Sequence, residues 1–242
     1  MITFSKILET AVFNRLNQHL QANNILVSEM FGFREGISIQ QAVFTLTDNI
    51  LTTLNQWQHV GGIFSDLSKV FDCVNHEILL CKLNCYGIHG LNIKWFESCL
   101  TNREQRLYVI PQNHQHKFSS NWGAMKCGVP QGSVLGLVLF IINISGLLLN
   151  MNIDSKLVLF MDDTSVLITA NNLRDLQRKP TSILNQINKW FTANGLSLNK
   201  GKTIAMHFKS NNLKDSPFPI SYQDKEIKEV TNTKFHGLSL DK

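Results

Sequence analysis

At 242 residues, the chain is long enough to bury a sizeable core, as one large domain or two small ones. A hydrophobic fraction of 43% and a mean hydropathy of -0.05 exclude a protein that crosses a membrane several times. The net charge of +5 suits a polyanionic partner, but charge alone is weak evidence, and a solvated surface is the favoured interpretation of the lysines near the C-terminus.

Two helices are predicted in the first quarter of the chain. A glycine-bounded loop, FGFREG (31–36), separates them, and the second helical pattern covers 39–54. The first helix is expected to end at the Asn23-Asn24 turn. Its apolar stripe consists of Ile7, Leu8, Val12, Phe13, Leu16 and Leu20.

The next segment alternates between strand and helix patterns. GGIFSDL (61–67) is typical of a short strand, and the helix after it places Leu79 and Leu83 on one face before a Gly87 cap. QRLYVI (105–110) predicts a further strand. VLGLVLFIINISGLLL (134–149) is uncharged but slightly shorter than the ~20 residues that a membrane span requires. We therefore expect a buried core helix there.

The second half of the chain predicts a hairpin, a helix and a strand. LVLFMDDTSVLI (157–168) has two apolar runs around a polar turn, and TIAMHF (203–208) alternates as a strand does. Between them, an amphipathic helix is expected to start near Pro180 and to end at Asn194-Gly195. NNLKDSPFP (211–219) resembles a linker in composition. The whole pattern indicates an α+β fold with an antiparallel sheet.

Cysteine usage indicates reduced thiols in an intracellular protein, since no pair has C-x-x-C spacing and no signal peptide is visible. A zinc site at Cys81, Cys85 and His89 is not expected, because Gly87 interrupts that helix face.

Three acids lie at strand ends. Asp66 ends the strand GGIFSD, and Asp162 and Asp163 lie between the two strands of the predicted hairpin. If the strands are neighbours, the carboxylates converge, and oxygen-rich clusters of this kind suit Mg²⁺. A solvated turn is the alternative for the Asp162-Asp163 pair, because aspartate is a common turn residue.

CGVPQGSVLG (127–136) predicts a tight turn that brings backbone close to a ligand. It lacks the lysine of a P-loop, so a Walker-type site is not supported. A Gly-Pro turn before a buried helix would explain the same residues.

Taken in order, these segments resemble the reverse transcriptase domain of non-LTR retrotransposons. FMDD alone is a weak signal, whereas several stretches in the family's order, from near residue 1 to residue 241, are specific. The matching stretches are FGFREGISIQQAV, IFSDLSKVFDCVNHEILLCKLNCYGIHG, WFESCLTNREQRLYV, GVPQGSVLGLVLFIINI, LVLFMDDTSVLI, LSLNKGKT and KFHGLSLD.

The resemblance implies a right-hand polymerase palm, an antiparallel sheet backed by helices, with partial fingers and no thumb. It implies one reverse transcriptase domain over 1–242, with partial fingers over 1–60. Residues 61–210 would be mainly palm with some finger elements, and 211–242 a C-terminal palm and primer-grip-like end. The family's upstream NYRPIS-type segment and endonuclease are expected to be missing, so the chain resembles a truncated member.

The implied activity is RNA-directed DNA polymerisation, by two-metal transfer of deoxynucleotides onto a primer 3′-OH. The implied cofactor is Mg²⁺, with Mn²⁺ as a substitute. The expected partners are an RNA template, a DNA primer and dNTPs, with no membrane and no obligate protein partner. The implied location is the nucleus or a cytoplasmic ribonucleoprotein.

The resemblance also implies roles for single residues. Asp66 and Asp162 match the family's principal metal ligands, and Asp163 matches its third carboxylate. Lys202 of LNKGKT matches a lysine that assists pyrophosphate departure, and an exposed lysine is the alternative. Phe71 matches the steric gate that excludes a 2′-hydroxyl, with a core aromatic as the alternative.

The remaining implied roles concern nucleotide and primer. Gln131 and Gly132 would flank the incoming nucleotide, and Arg34 would lie near the template or the triphosphate. Phe235 and Gly237 fall in the primer-grip segment.

Several positions depart from the family pattern. GLVLF (136–140) replaces GPLLF, INISGL (142–147) replaces YINDL, and Ile37-Ser38 replaces Arg-Ser after FREG. His236 stands where the family has leucine in KFLGL. Because polymerases gain rate by positioning the primer and the triphosphate, we expect low turnover at best.

Three functions are therefore open from the sequence. The first is the polymerase itself. The second is a catalytically weak or dead fragment that only binds nucleic acid, with salt-sensitive affinity. The third is a decayed reading frame without a selected role, which predicts a protein that does not unfold cooperatively.

Overall fold

The computed structural model describes residues 3–27, 29–32, 37–67, 70–109, 118–130, 132–149, 155–160, 163–209, 218–223 and 225–241. Six helices and twelve strands lie in these ranges. In chain order they are α1 (Thr3–Ala22), α2 (Ile39–Asn55), β1 (His59–Asp66), α3 (His76–Cys85), α4 (Leu91–Leu100), β2 (Glu104–Gln105), β3 (Tyr108–Val109), β4 (Phe118–Ser119), β5 (Gly123–Ala124), α5 (Val134–Leu149), β6 (Ser155–Phe160), β7 (Asp163–Ala170), α6 (Leu173–Ala193), β8 (Ile204–Phe208), β9 (Ile220–Tyr222), β10 (Lys225–Glu229), β11 (Asn232–Phe235) and β12 (Leu238–Asp241).

The chain divides into two compact units. The sheet unit comprises Asn17–Val70 and Ile144–Lys242, and the helical unit comprises Met1–Leu16 and Phe71–Asn143. The sheet unit contains a six-stranded sheet with the strand order β6-β7-β1-β8-β10-β9. Every neighbouring pair is antiparallel except β8 and β10. The predicted α+β fold with an antiparallel sheet is therefore confirmed.

β1 is central to this sheet, because it pairs with β7 on one side and with β8 on the other. Its register against β7 runs from His59 opposite Ala170 to Asp66 opposite Asp163. β6 and β7 form the hairpin that LVLFMDDTSVLI predicts. The predicted strands at 61–67 and 203–208 are also confirmed, as β1 and β8.

Both faces of the central strands are buried. On one face, the strands share a hydrophobic cluster with α2 and the β11–β12 hairpin. Alternate residues, such as Ile63 and Ala205, are buried on the other face. Helix α6 packs against β1, β7 and β9. The cluster contains Ala42, Leu46, Ile50, Val60, Phe64, Leu167, Met206, Phe208, Phe235 and Leu240.

Gly61, in the middle of β1, lies too close to the Phe218 ring for any residue with a side chain to fit there. A Cβ at Gly61 would lie 2.4 Å from Cζ of Phe218, whose side chain is fully buried. Real Cβ atoms do not come this close to a ring carbon, so the packing of Phe218 against β1 requires the absence of a side chain.

The predicted helices form: α2 begins where it is expected, and α6 begins earlier than expected. α2 starts at a capping box in which Ser38 Oγ accepts from Gln41 N and Gln41 Oε1 accepts from Ser38 N. The expected start of α6 near Pro180 is wrong. The helix begins at Leu173, because the Asn172 side chain caps it, and the proline lies buried inside the helix.

The helical unit contains α3, α4 and two short ribbons. α3 ends before Gly87, whose φ is +87°, as the sequence predicts. The predicted strand at 105–110 forms as two separate strands, β2 and β3, which pair with β5 and β4 respectively. Residue 110 lies outside the described ranges.

α5 is the buried core helix expected for the uncharged stretch. Within it, Phe140, Ile142 and Ile144 are fully buried. Among the described helices, none has the length and apolar character needed to span a membrane.

Candidate active site

Asp66 and Asp163 lie directly opposite each other across the β1–β7 pair. Opposite residues of an antiparallel pair have Cα atoms about 4.5–5.5 Å apart and point to the same side of the sheet. The Asp66 side chain is 19% exposed and the Asp163 side chain 46%, so both carboxylates reach solvent. The predicted convergence of the first and third acids is what the strand register produces.

Lys202 contacts the first of these acids. Its Nζ lies 2.6 Å from Asp66 Oδ2, while its own side chain remains 69% exposed. The loop before β8 holds it there, because Asn199 N donates to Asp66 O and Asn199 O accepts from Lys202 N. The LNKGKT segment is therefore tied to the end of β1 by its backbone as well as by the ion pair.

A buried hydrogen bond strengthens the same junction. Ser65 Oγ and Thr203 Oγ1 are 3.0 Å apart, and Thr203 Oγ1 also donates to Asn199 O. Neighbouring residues of β1 and of the loop are thus joined in one network. This network fixes the backbone that carries Lys202 beside Asp66.

The β11–β12 hairpin borders the site on the side of Asp163. It turns at His236 and Gly237, whose φ values are +45° and +91°, the backbone pattern of a two-residue I′ turn. The His236 ring lies against the rings of Phe160 and Phe235, at centroid distances of 4.2 and 4.5 Å. Its Nε2 is 3.5 Å from Asp163 Oδ2, which is long for a hydrogen bond.

These elements enclose an open cleft of about 380 Å³. Two acids, Asp66 and Asp163, and two lysines, Lys202 and Lys234, line it, and Phe235 forms part of its apolar wall. A cleft that holds carboxylates beside ammonium groups can bind a divalent cation and an anionic ligand together.

Phe71 lies in the helical unit. Its ring packs against Phe140, with centroids 5.0 Å apart, and its carbonyl accepts from Val129 N at 2.7 Å. The CGVPQG turn is thereby tied to the residues after β1, and Gly128 N also donates to Val74 O. A Cβ at Gly128 would lie 3.1 Å from Phe71 O, so this turn packs closely against the chain's own backbone, and its approach to a ligand stays a prediction.

Three residues with expected roles, Arg34, Gln131 and Asp162, lie outside the described residues. Gly132 is described and has a φ of +79°. Within the described part of the chain, no group of three or more His, Cys, Asp or Glu side chains is placed to hold a metal. Two of the three expected ligands nevertheless face one cleft, and their hard oxygen donors fit Mg²⁺.

Two residues of the cleft, Ser165 and Lys234, and the neighbouring His236 had no role predicted from the sequence. Ser165 follows Asp163 by two positions on β7, so strand alternation was the available signal for it. Lys234 and His236 come from a hairpin more than 60 residues further along, and no local pattern shows that it lies beside Asp163.

A family profile described as "Reverse transcriptase (RNA-dependent DNA polymerase)" matches residues 1–240. Among curated proteins, the chain is 28% identical to a "Probable RNA-directed DNA polymerase from transposon BS" of Drosophila melanogaster and 24% identical to an "RNA-directed DNA polymerase from mobile element jockey" of Drosophila funebris. Each match covers 99% of this chain and 26% of the relative. The chain therefore spans about a quarter of the length of these relatives.

Solved structures of telomerase share the fold. A Candida tropicalis telomerase in complex with a fragment of telomeric RNA aligns with 99% of this chain and 36% of its own, at 15% identity and a TM-score of 0.59. An apo telomerase of the same organism aligns with 96% of this chain and 43% of its own, at 13% identity and a TM-score of 0.55. These similarities concern the architecture of the chain.

Proposed function

Because this chain belongs to the reverse transcriptase (RNA-dependent DNA polymerase) family, we propose that it catalyses RNA-directed DNA synthesis at the cleft between β1, β7 and the β11–β12 hairpin. The observation that carries the proposal is the register of β1 against β7, which sets Asp66 opposite Asp163. Lys202 contacts Asp66 and lines the same cleft as Asp163, which supports a site that combines two acids with an ammonium group.

Asp66, Asp162 and Asp163 would hold Mg²⁺, or Mn²⁺ in its place. Bound there, the metal ions would activate the primer hydroxyl and stabilise the leaving pyrophosphate. The two described acids support this assignment because both reach solvent and neither is enclosed in a way that would exclude an ion. Opposed carboxylates repel each other, and a cation relieves that repulsion.

Lys202 would act on the phosphate side of the reaction. Its long, exposed side chain can move away from Asp66, which would hold the metal, and it would then donate a proton to the departing pyrophosphate. Lys234 adds a second positive charge to the same cleft, which suits a triphosphate.

The other proposed contacts follow the family's motifs. Phe71 would exclude the ribose 2′-hydroxyl, Gln131 and Gly132 would flank the nucleotide, and Arg34 would contact template or triphosphate. Phe235 and Gly237 would position the primer end through the β11–β12 hairpin, whose Phe235 ring lies 6.4 Å from that of Phe64. An RNA template, a DNA primer and dNTPs are the proposed partners.

The test is extension of a DNA primer on an RNA template by the purified chain, with Mg²⁺ and dNTPs. We expect extension by the wild type and its loss in Asp162→Ala, while Asp48→Ala, at an exposed position of α2, keeps it. Absence of extension by a cooperatively folded wild type would reject the polymerase. If that protein still binds oligonucleotides in a salt-sensitive manner, and Asp162→Ala binds equally well, the chain is a binding fragment only.

A further inference from the structure

The two ribbons of the helical unit form one irregular hairpin with a bulge. Gln105 is opposite Gly123, whereas Tyr108 is opposite Ser119, so the register shifts by one residue between these pairs. Asn121 and Trp122 consequently both face Arg106, as in a β-bulge. Bulges change the direction of a side chain, and here the change brings Trp122 beside Arg106.

Three side chains of this hairpin form a cationic-aromatic platform, defined as Arg106, Tyr108 and Trp122. Arg106 lies between β2 and β3, two residues before Tyr108. The Arg106 guanidinium carbon lies 4.5 Å from the Tyr108 ring centroid and 4.7 Å from the Trp122 ring centroid. The arginine thus lies between two rings and is attracted by both.

This platform is open to solvent. Tyr108 is 51% exposed and Trp122 59% exposed, although aromatic rings bury more apolar area than other side chains when they pack into a core. The cation–π contacts restrain the rings and leave about half of each residue open to solvent. Such pre-ordered, exposed rings lose little entropy when a ligand stacks on them.

The charge of the hairpin selects the kind of ligand. Its described residues, 103–109 and 118–126, contain three basic side chains, Arg103, Arg106 and Lys126, and one acidic side chain, Glu104. A flat ligand with a negatively charged backbone fits rings and cations that are interleaved in this way. We propose that the platform binds single-stranded nucleic acid, with bases stacked on Tyr108 and Trp122 and a phosphate held by Arg106.

A single strand fits this surface better than a duplex. Unpaired bases expose their faces to aromatic side chains, whereas the bases of a duplex are already stacked on each other. Arginine offers several N–H donors to a phosphate while its plane remains against a ring. The proposal deepens the proposed function, on which it rests for its biological role, since a template-copying enzyme handles unpaired template.

The experiment measures binding alone, so it can succeed even if the chain extends no primer. A fluorescent oligouridylate of roughly 15 nucleotides is titrated with the full chain in EDTA, and a duplex RNA of equal length is titrated in parallel. Trp122→Ala and Tyr108→Ala are each expected to weaken single-strand binding on the order of tenfold and to leave duplex binding unchanged. Trp122→Phe, which keeps a ring, is expected to retain most of the affinity.

Arg106→Ala tests the phosphate contact. It is expected to weaken binding and to reduce the slope of log affinity against log salt by about 0.7, the value for one phosphate of a single strand. Matched controls are Trp57→Ala, an 84% exposed tryptophan after α2, and Arg178→Ala, an exposed arginine of α6; both are expected to bind as the wild type does. Wild-type affinity in Trp122→Ala and Tyr108→Ala, or an equal loss on duplex, would overturn the proposal.

Discussion

Asp66 and Asp163 are directly opposed in the register of β1 against β7, at the end of the sheet where Lys202 also lies. Two like charges in this relationship destabilise a strand pair unless a cation neutralises them. In the chain itself, Lys202 pairs with Asp66, and Asp163 keeps much of its carboxylate open to solvent. The chain's own cation thus contacts one of the two opposed acids, which leaves a reason for the proposed divalent ion to bind beside the other.

Asp163→Asn is expected to separate these two effects. Without divalent ions, the free energy of unfolding of the variant should exceed that of the wild type by about 0.2–1 kcal/mol, because one of the two opposed charges is gone. Adding Mg²⁺ should stabilise the wild type and not the variant, since an ion that binds only the folded state shifts the unfolding equilibrium. Urea unfolding with EDTA or Mg²⁺ measures both effects.

Asp48→Asn is the matched control for that comparison, because Asp48 is exposed on α2. It should change neither the stability in EDTA nor the gain with Mg²⁺. Equal stabilisation of wild type and Asp163→Asn by Mg²⁺ would contradict the metal assignment.

Lys202→Met is expected to tighten metal binding and to slow synthesis. The Lys202 ammonium lies 2.6 Å from Asp66 Oδ2 and competes with a divalent ion for that oxygen. Removing an exposed pair of this kind should improve Mn²⁺ affinity about two- to fivefold, measured by titration. Nucleotide addition should fall on the order of 10²-fold if the lysine donates to pyrophosphate.

Lys200→Met, in the same loop, provides the control, because its Nζ lies over the Tyr222 ring, 5.6 Å from the centroid. It should leave both quantities near their wild-type values. Weaker Mn²⁺ binding in Lys202→Met would show that the lysine supports the metal site instead of competing with it.

Gly237→Ala is expected to destabilise the β11–β12 hairpin for a purely conformational reason. Gly237 has a φ of +91°, and a Cβ there would meet nothing within 4 Å. The cost is therefore the backbone strain of an L-residue, about 1 kcal/mol in the free energy of unfolding. Gly123→Ala, where a Cβ would make an ordinary 3.8 Å contact, is the control and should change stability by a few tenths at most.

The strand-end acids could be read from the sequence because the relevant pattern is local. Apolar runs that end at Asp66 and begin after Asp163 identify two strands, and neighbouring strands bring their ends together. Their exact opposition depends on the register, which no local pattern specifies. The Lys202 contact depends in addition on backbone hydrogen bonds from Asn199 to β1.

Other features depend on tertiary structure that the sequence does not show. The turn at His236-Gly237 lacks the Asn-Gly or Asp-Gly pair that marks most hairpins of this type. Trp122 reaches Arg106 only because of a bulge. One extra residue in a short strand produces no repeating sequence pattern from which the bulge could be predicted. The start of α6 had a local sequence signal, the capping residue Asn172. The prediction instead used Pro180 as the mark of the helix start, because proline is common in the first turn of a helix.

Gly61→Ala is expected to destabilise the sheet by overpacking. The new Cβ would lie 2.4 Å from Cζ of the fully buried Phe218 ring, so either the ring or β1 must move. A loss of about 1–3 kcal/mol in unfolding free energy is expected from urea denaturation. Phe218→Leu should recover part of that loss in the double variant, and strict additivity of the two changes would contradict the contact.

Lys82 makes stability depend on pH in the alkaline range. Burial lowers the pKa of Lys82 from 10.5 to about 8, outweighing the nearby Cys81, which raises it. Its Nζ donates to Asn143 Oδ1 at 3.0 Å and to the Asn143 carbonyl. Between pH 8 and 10.5 the unfolded chain binds more protons at this residue than the folded chain does, so stability rises with pH across that window and the gain is lost as pH falls through 8.

Comparison with Lys82→Met isolates this contribution from tyrosines and cysteines that titrate nearby. The difference in unfolding free energy, wild type minus variant, should grow by about 1–2 kcal/mol from pH 8 to 10.5, less than the full shift implies because the lysine keeps some contact with solvent. Lys94→Met, at an exposed position of α4, controls for the loss of one surface charge. A difference that stays constant or shrinks as pH rises would show that the Lys82 ammonium is as well solvated in the folded chain as in the unfolded one.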